Sequence, residues 1–382
     1  MQRRLAMLGL ALGARAALAK VTQVLKVGPR EAHRTLASAA KAATDGCLIE
    51  VEAGDYLADV ATWPQHELTL RAVGGRVRLI ASGAHAQGKG IFVTRGQRQR
   101  IEGFDFIGAR VPDRNGAGIR LEAGSLTLVD CRFEDNENGV LTSNDPAVEL
   151  DLIDCDFGRI AMGTGQTHQC YVGAIARLGV TGCHFHSGLM GHLLKSRARV
   201  NQVLYSRLID GIGGRASYEL EFPNGGQNLV MGNLIGQSST SENPHLISVG
   251  AEGLRGGTHA LWLVHNTCID DRPGGGIWLR AASGLTDVHV ANNLFVGRRA
   301  FEPAASWDAH HNHQPDWDEF VRANRDDWRL KPESRLRGKV APAGPMALDG
   351  RRIELLPTRQ YAHPARSVAL TQPVVWPGAL QG

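Results

Sequence analysis

The sequence predicts an all-β solenoid, a chain wound into stacked coils, and three observations lead there. A short motif, an apolar residue two positions after a small or polar one, recurs as FDF, CRF, CDF, CHF, SRL, GNL, NTC and NLF. It ends at Phe106, Phe133, Phe157, Phe185, Leu208, Leu234, Cys268 and Phe295, a near-constant step with one longer interval between Leu234 and Cys268. The 46 glycines, set against 6% aromatic residues, suit many tight turns between short strands rather than a helical bundle. Long segments of 3.6-residue period, which helical repeats of about 33 residues or more would need, are absent.

Taken in order, residues 1–19 carry Arg3 and Arg4, an apolar run from Leu5 to Gly13, and Ala17-Leu18-Ala19. This is the pattern of a cleaved signal peptide, so a periplasmic or secreted protein is expected. No later run approaches the roughly 18 apolar residues that a membrane span requires. Residues 20–340 are expected as one solenoid domain. From Arg30 to Gly46, Ala and Leu recur at helical spacing before a glycine, which predicts a helix that caps the open end of the stack. CLIEVEAGDY then reads as a strand and a turn.

Within the repeats, the position two before each motif end runs Phe104, Cys131, Cys155, Cys183, Ser206, Gly232, Asn266, Asn293. Small residues at one phase predict inward side chains stacked coil upon coil. The cysteines read as a ladder of buried thiols rather than as disulfides, and no spacing is a zinc signature. The asparagines read as a hydrogen-bond ladder. Past Trp307 the period fails, and residues 316–338 read as a short helix and an extended piece. Residues 341–382 hold six prolines, which predicts an irregular tail packed on the solenoid.

Charge is nearly balanced, with 42 basic and 38 acidic residues for a net +4. That balance argues only weakly for an anionic partner. The informative concentration lies between Gly191 and Gly226. Lys195 and Arg197 sit at i, i+2 in one β-patterned run, and Glu219 and Glu221 do the same in the next, so each pair shares a strand face. Glu219 follows Lys195 by the same step as Glu221 follows Arg197, and that step is close to one coil. Two readings of these pairs stand together: a salt-bridge ladder worth about 0.2–1 kcal/mol per pair, and a site.

The cap helix, the regular coils, the asparagine ladder and the DWRL segment together resemble right-handed parallel β-helix proteins of the pectate-lyase-like superfamily. The resemblance covers roughly residues 30–340 and implies that fold. Lys195-Ser196, followed one coil later by a polar strand and a glycine turn, also resembles the catalytic coils of the alginate lyase and chondroitinase B family. There a lysine is the base, an arginine on the next coil the acid, and acidic residues just before the lysine bind calcium. Here Met190 and Gly188 stand where those carboxylates would be, and LEFPNGG (220–226) replaces the expected Arg-His-Gly. No calcium or other cofactor is therefore expected.

β-Elimination of a uronate needs a neutralised carboxylate, a base for the C5 proton and a donor to the leaving oxygen. Lys195 is the expected base, with its pKa lowered by nearby arginines, and Arg197 holds the carboxylate bidentately. Tyr218 donates or relays a proton, and His192 and His168 are alternative bases. Arg199, Glu219, Glu221, Asn224 and His245 complete the expected binding surface. The expectation is a monomeric lyase acting on an anionic polysaccharide, without nucleic-acid partners. A glycoside hydrolase or epimerase using Glu219, Glu221, Glu252 or Asp210, and a non-catalytic glycan-binding solenoid, are the alternatives.

Overall fold

The structure, a computed structural model, describes residues 21–160, 167–241 and 243–382; the signal peptide expected at 1–19 lies outside them. The chain forms a parallel β-solenoid whose coils have three sides. One side is a nine-stranded parallel sheet, in order Ala61–Trp63, Gly90–Thr94, Ala117–Leu121, Asn138–Thr142, Cys170–Val172, Leu194–Ser196, Leu220–Phe222, His245–Val249 and Ile277–Ala281. The other two sides belong to a 20-stranded sheet, joined because the long early strands Cys47–Leu57 and Thr69–Ile80 run along both.

The corner between those two sides repeats one device. A residue with positive φ turns the chain: Gly103, Asp130, Asp154, Gly182, Tyr205, Gly232, His265, Asn292. The next residue points inward, then one points out, then a bulky one points in. The bulky position pairs in register from Leu79 through Phe106, Phe133, Phe157, Phe185, Leu208, Ile235 and Cys268 to Phe295. Phe106, Phe133, Phe157 and Phe185 stack with centroids 5.1, 4.7 and 4.6 Å apart and nearly parallel rings. Stacked pairs add about 0.5–1.5 kcal/mol each beyond area burial.

Cys131, Cys155 and Cys183 are fully buried at successive levels, and all six cysteines are free thiols. The ladder continues through Ser206 into Asn233, Asn266, Asn293 and Asn312. Each side-chain oxygen accepts the backbone N–H of the residue one coil earlier, at 2.8 to 3.1 Å. The sequence alignment is thus off by one at GNL: Gly232 takes the turn, Asn233 the ladder, and Ile235 rather than Leu234 the inward bulky position.

Three further expectations are corrected. The cap helix is only Leu36–Ala42, preceded by a strand at Gln23–Val27 that pairs with Cys47–Val51. Thr35 caps it, and Asp59 accepts its Leu36 and Ala37 N–H groups at 2.6 and 3.0 Å, which stops the helix extending back to Arg30. Residues 316–338 form two 3₁₀ turns around an antiparallel pair, Phe320–Arg322 with Asp327–Leu330. The tail is ordered into hairpins, Pro345–Leu348 with Arg351–Glu354 and Arg359–Ala362 with Arg366–Ala369.

Candidate functional site

On the nine-stranded sheet, side chains one coil apart fall in columns. The central outward column runs Arg120, Leu141, Tyr171, Lys195, Glu221, Ser248, Arg280. Lys195 therefore stands between Tyr171 and Glu221, and not beside Glu219. Leu194 and Leu220 on either side point inward and fix that phase.

Lys195 Nζ lies 3.1 Å from Glu221 Oε2 and 2.8 Å from Glu252 Oε1. Glu252 Oε2 is 2.7 Å from Arg197 Nη2, so this carboxylate bridges the lysine and the arginine. Arg197 also donates from Nε to Tyr171 Oη at 2.9 Å and from Nη1 to Asn224 Oδ1. The Lys195 and Glu221 side chains are 12% and 3% exposed, but Glu252 is 40% exposed and sits on a turn past the strand. Burial pulls the Lys195 pKa down, yet the hydrogen bond to Glu252 and the charge of Glu221 outweigh it and the pKa is raised. This environment favours the ammonium over the free amine that a base requires. Burial works against both glutamates too, but His192 and Lys195 hold Glu221 below the usual range, and Lys195 and Arg197 do the same for Glu252.

A second column lies at the edge of the sheet. The rings of His168, His192, Tyr218 and His245 succeed one another with centroids 4.6, 5.0 and 6.1 Å apart. His192 Nε2 is 2.8 Å from Glu221 Oε2, which links the two columns. Arg280 Nη1 donates to Tyr218 Oη at 3.1 Å, leaving the phenol proton free to be given away. His245 is held by Asn243 at 2.9 Å.

Of the sequence-predicted residues, Lys195, Arg197, Glu221, Asn224, His192 and Tyr218 come together, with His245 at the margin. His168 is adjacent but buried; burial, then the charges of His192 and Lys195, keep it neutral. Its Nδ1 accepts the His192 backbone N–H at 3.0 Å, so it supports His192 and does not face a ligand. Arg199 points to the tail, 2.7 Å from Asp349. Glu219 faces the interior, with neither carboxyl oxygen hydrogen-bonded; burial first, and Asp210 second, push its pKa well up. Asp210 is clamped by the Gly188 and Ala216 N–H groups at 2.6 and 2.8 Å. Tyr171 and Arg280 escaped the sequence reading; a correct register along the Lys195 column is the signal that finds both.

No protein-family model matches this chain, and no curated protein matches it. Among solved structures it is similar to pectate lyase Pel9A, at 14% identity, covering 83% of this chain and 91% of that one with a TM-score of 0.59. It is also similar to a rhamnogalacturonan lyase, at 12% identity, 78% and 90% coverage and a TM-score of 0.50. At such identities the likeness shows the fold alone, a parallel β-helix.

Proposed function

We propose that this flank binds an anionic, uronate-containing polysaccharide and cleaves it by β-elimination, in a protein exported to the periplasm or beyond. The observation that carries the reading is Glu252: a solvent-reachable carboxylate held between Lys195 and Arg197 marks where a uronate carboxylate would sit. Exchanging one carboxylate for the other keeps the local charge, so Lys195 stays protonated and, with Arg197, acidifies the C5 proton. His192 takes that proton. Glu221 beside Nε2 favours the tautomer with its lone pair on Nδ1, which is covered and without a hydrogen-bond partner among the described residues, so the ring must turn outward for substrate to reach it. The C5–H electron pair becomes the C4–C5 double bond, the C4–O bond breaks, and Tyr218 gives its proton to the leaving oxygen.

Hydrolysis fits less well, because it needs a carboxylic acid as proton donor. Lys195 and its neighbours favour ionised Glu221 and Glu252, and Glu219 and Asp210, whose burial raises their pKa, are turned away from the flank. That two fold neighbours are named as lyases supports elimination by analogy only. The test is incubation with a panel of uronate polysaccharides while near-ultraviolet absorbance and product mass are followed. Unsaturated products are expected, with turnover lowered about 10²–10⁴-fold in His192→Ala at unchanged melting temperature. Products heavier by one water, or epimerised without an absorbance gain, would replace elimination with the corresponding alternative.

A further inference from the structure

Asp156, His184 and His186 meet on the outside of the 20-stranded sheet, on a different side of the coil from Lys195. Asp156 and His184 are register partners on adjacent coils, and His186 lies two positions further on, opposite Gly158. His184 Nδ1 lies 3.0 Å from Asp156 Oδ2, and His186 Nε2 lies 3.2 Å from Asp156 Oδ1. One ligand atom from each of the three residues falls within 4.8 Å of the others. The imidazoles are stacked 4.3 Å apart.

Two features show that this arrangement is built. A Cβ on Gly158 would stand 2.5 Å from His186 Cε1 and 2.7 Å from its Nε2, so the ring occupies the space of a missing side chain. Gly158 is not among the residues of positive φ; the ring, not the backbone, is what needs glycine there. His186 Nδ1 is 3.0 Å from Ser187 Oγ, the outer hydrogen bond that fixes an imidazole whose other nitrogen coordinates. His184 is nearly covered, while His186 and Asp156 keep 32% and 26% of their side chains exposed, which gives an ion access. The C-terminal hairpin borders the cluster: the His363 ring is 5.2 Å from that of His184, and the Ser367 N–H reaches Asp154 Oδ1 at 3.2 Å. Arg207, next to His184 on the following coil, is the opposing charge, and Asp326 at 3.1 Å offsets it.

We propose that Asp156, His184 and His186 bind a divalent transition ion of the Zn²⁺ class at the junction of the coil and the C-terminal hairpin. Two neutral imidazoles and one carboxylate are a donor set suited to Zn²⁺ and poorly suited to Ca²⁺ or Mg²⁺, which take oxygen ligands. The test is calorimetric titration of the metal-free full chain with Zn²⁺, with Co²⁺ as a spectroscopic probe. One equivalent is expected, with a Co²⁺ visible spectrum of low-symmetry coordination and a higher melting temperature when Zn²⁺ is present. His186→Gln should abolish these effects. Gly158→Ala, which keeps all three ligands but displaces a ring, should weaken binding about 10–100-fold. Absence of binding in the wild type, or binding unaltered in both variants, overturns the proposal. The result is independent of the Lys195 flank, since neither variant touches it and the readout is not turnover.

Discussion

Glu252 places one oxygen on each of two cations from a turn hydrogen-bonded to the Pro223–Asn224 turn one coil earlier, so it competes with whatever anion the site receives. The pair is partly exposed, and such a contact contributes up to about 1 kcal/mol after screening. Glu252→Gln should therefore tighten binding of oligogalacturonate or oligomannuronate by up to about fivefold. Calorimetry on the two proteins measures it, and weaker binding in the variant would mean that Glu252 organises the cations rather than standing in for a ligand. Glu219 poses the opposite case, a carboxyl buried with no partner. Its folded pKa lies above its unfolded value, so the native state holds a proton that the unfolded chain releases. Stability is intact below the unfolded pKa and falls as pH rises from there towards the folded value, by about 1.4 kcal/mol per pH unit. Glu219→Met, similar in volume, should raise the melting temperature, and the gain should grow between pH 5 and pH 8. A gain independent of pH would show that Glu219 is ionised inside the fold.

The asparagine ladder converts single side chains into contacts between coils. Asn266 accepts the Asn233 N–H at 3.0 Å and donates to Val230 O at 2.9 Å, both in the interior. Asn266→Leu would strand both groups, each at about 1–3 kcal/mol, so a loss of more than about 2 kcal/mol in urea unfolding is expected. A loss below about 1 kcal/mol would mean that the coils close without it. This element was readable where inward side chains are bulky, because four phenylalanines at one phase leave a single alignment. It slipped at GNL because the turn slot and the ladder slot both accept small residues, and only the positive φ of Gly232 separates them. It also hid Asn312, which lies beyond Trp307, where the motif no longer recurs, yet accepts the Asn293 N–H as the next member of the ladder. The site suffered from the same variability. Coil length changes in the loops, so the step from Lys195 to Glu221 is longer than the step from Tyr171 to Lys195. Assuming equal steps put Glu219 beside Lys195 and turned an interior residue outward. Lys195, Arg197, Tyr218 and His192 were legible because charge and histidine density survives such a slip. Tyr171 and Arg280 were not, because single residues on neighbouring coils stand out only once register is known.

For the molecule as a whole, a solenoid leaves apolar residues on its outer sides, and here the chain covers them with its own C-terminal segment. Val200, Leu204, Tyr205, Leu229 and Met231 on one side pack against Met346, Leu348 and Leu355. Ile209, Leu234, Ile269 and Leu294 on the next pack with Phe320, Trp328, Tyr361 and Trp376. The prolines that suggested an irregular tail punctuate it instead: Pro345 opens a strand, Pro357 separates the hairpins, and Pro364 lies in the second turn, places where a missing N–H costs no ladder bond. Each buried Met, Leu or Trp of the tail contributes about 1.5–3 kcal/mol. A chain ended at Gly338 should keep its coils, because their ladders and aromatic stack lie wholly within residues 47–312, but it would expose one apolar face and uncover the part of a second that Tyr361 and Trp376 shield. The expected outcome is an unchanged far-ultraviolet circular dichroism per residue of coil, a melting temperature lowered by many degrees, and self-association in light scattering. A shortened protein that stays monomeric and melts where the full chain does would show that these faces need no cover, and that the tail serves some purpose other than sealing the solenoid's sides.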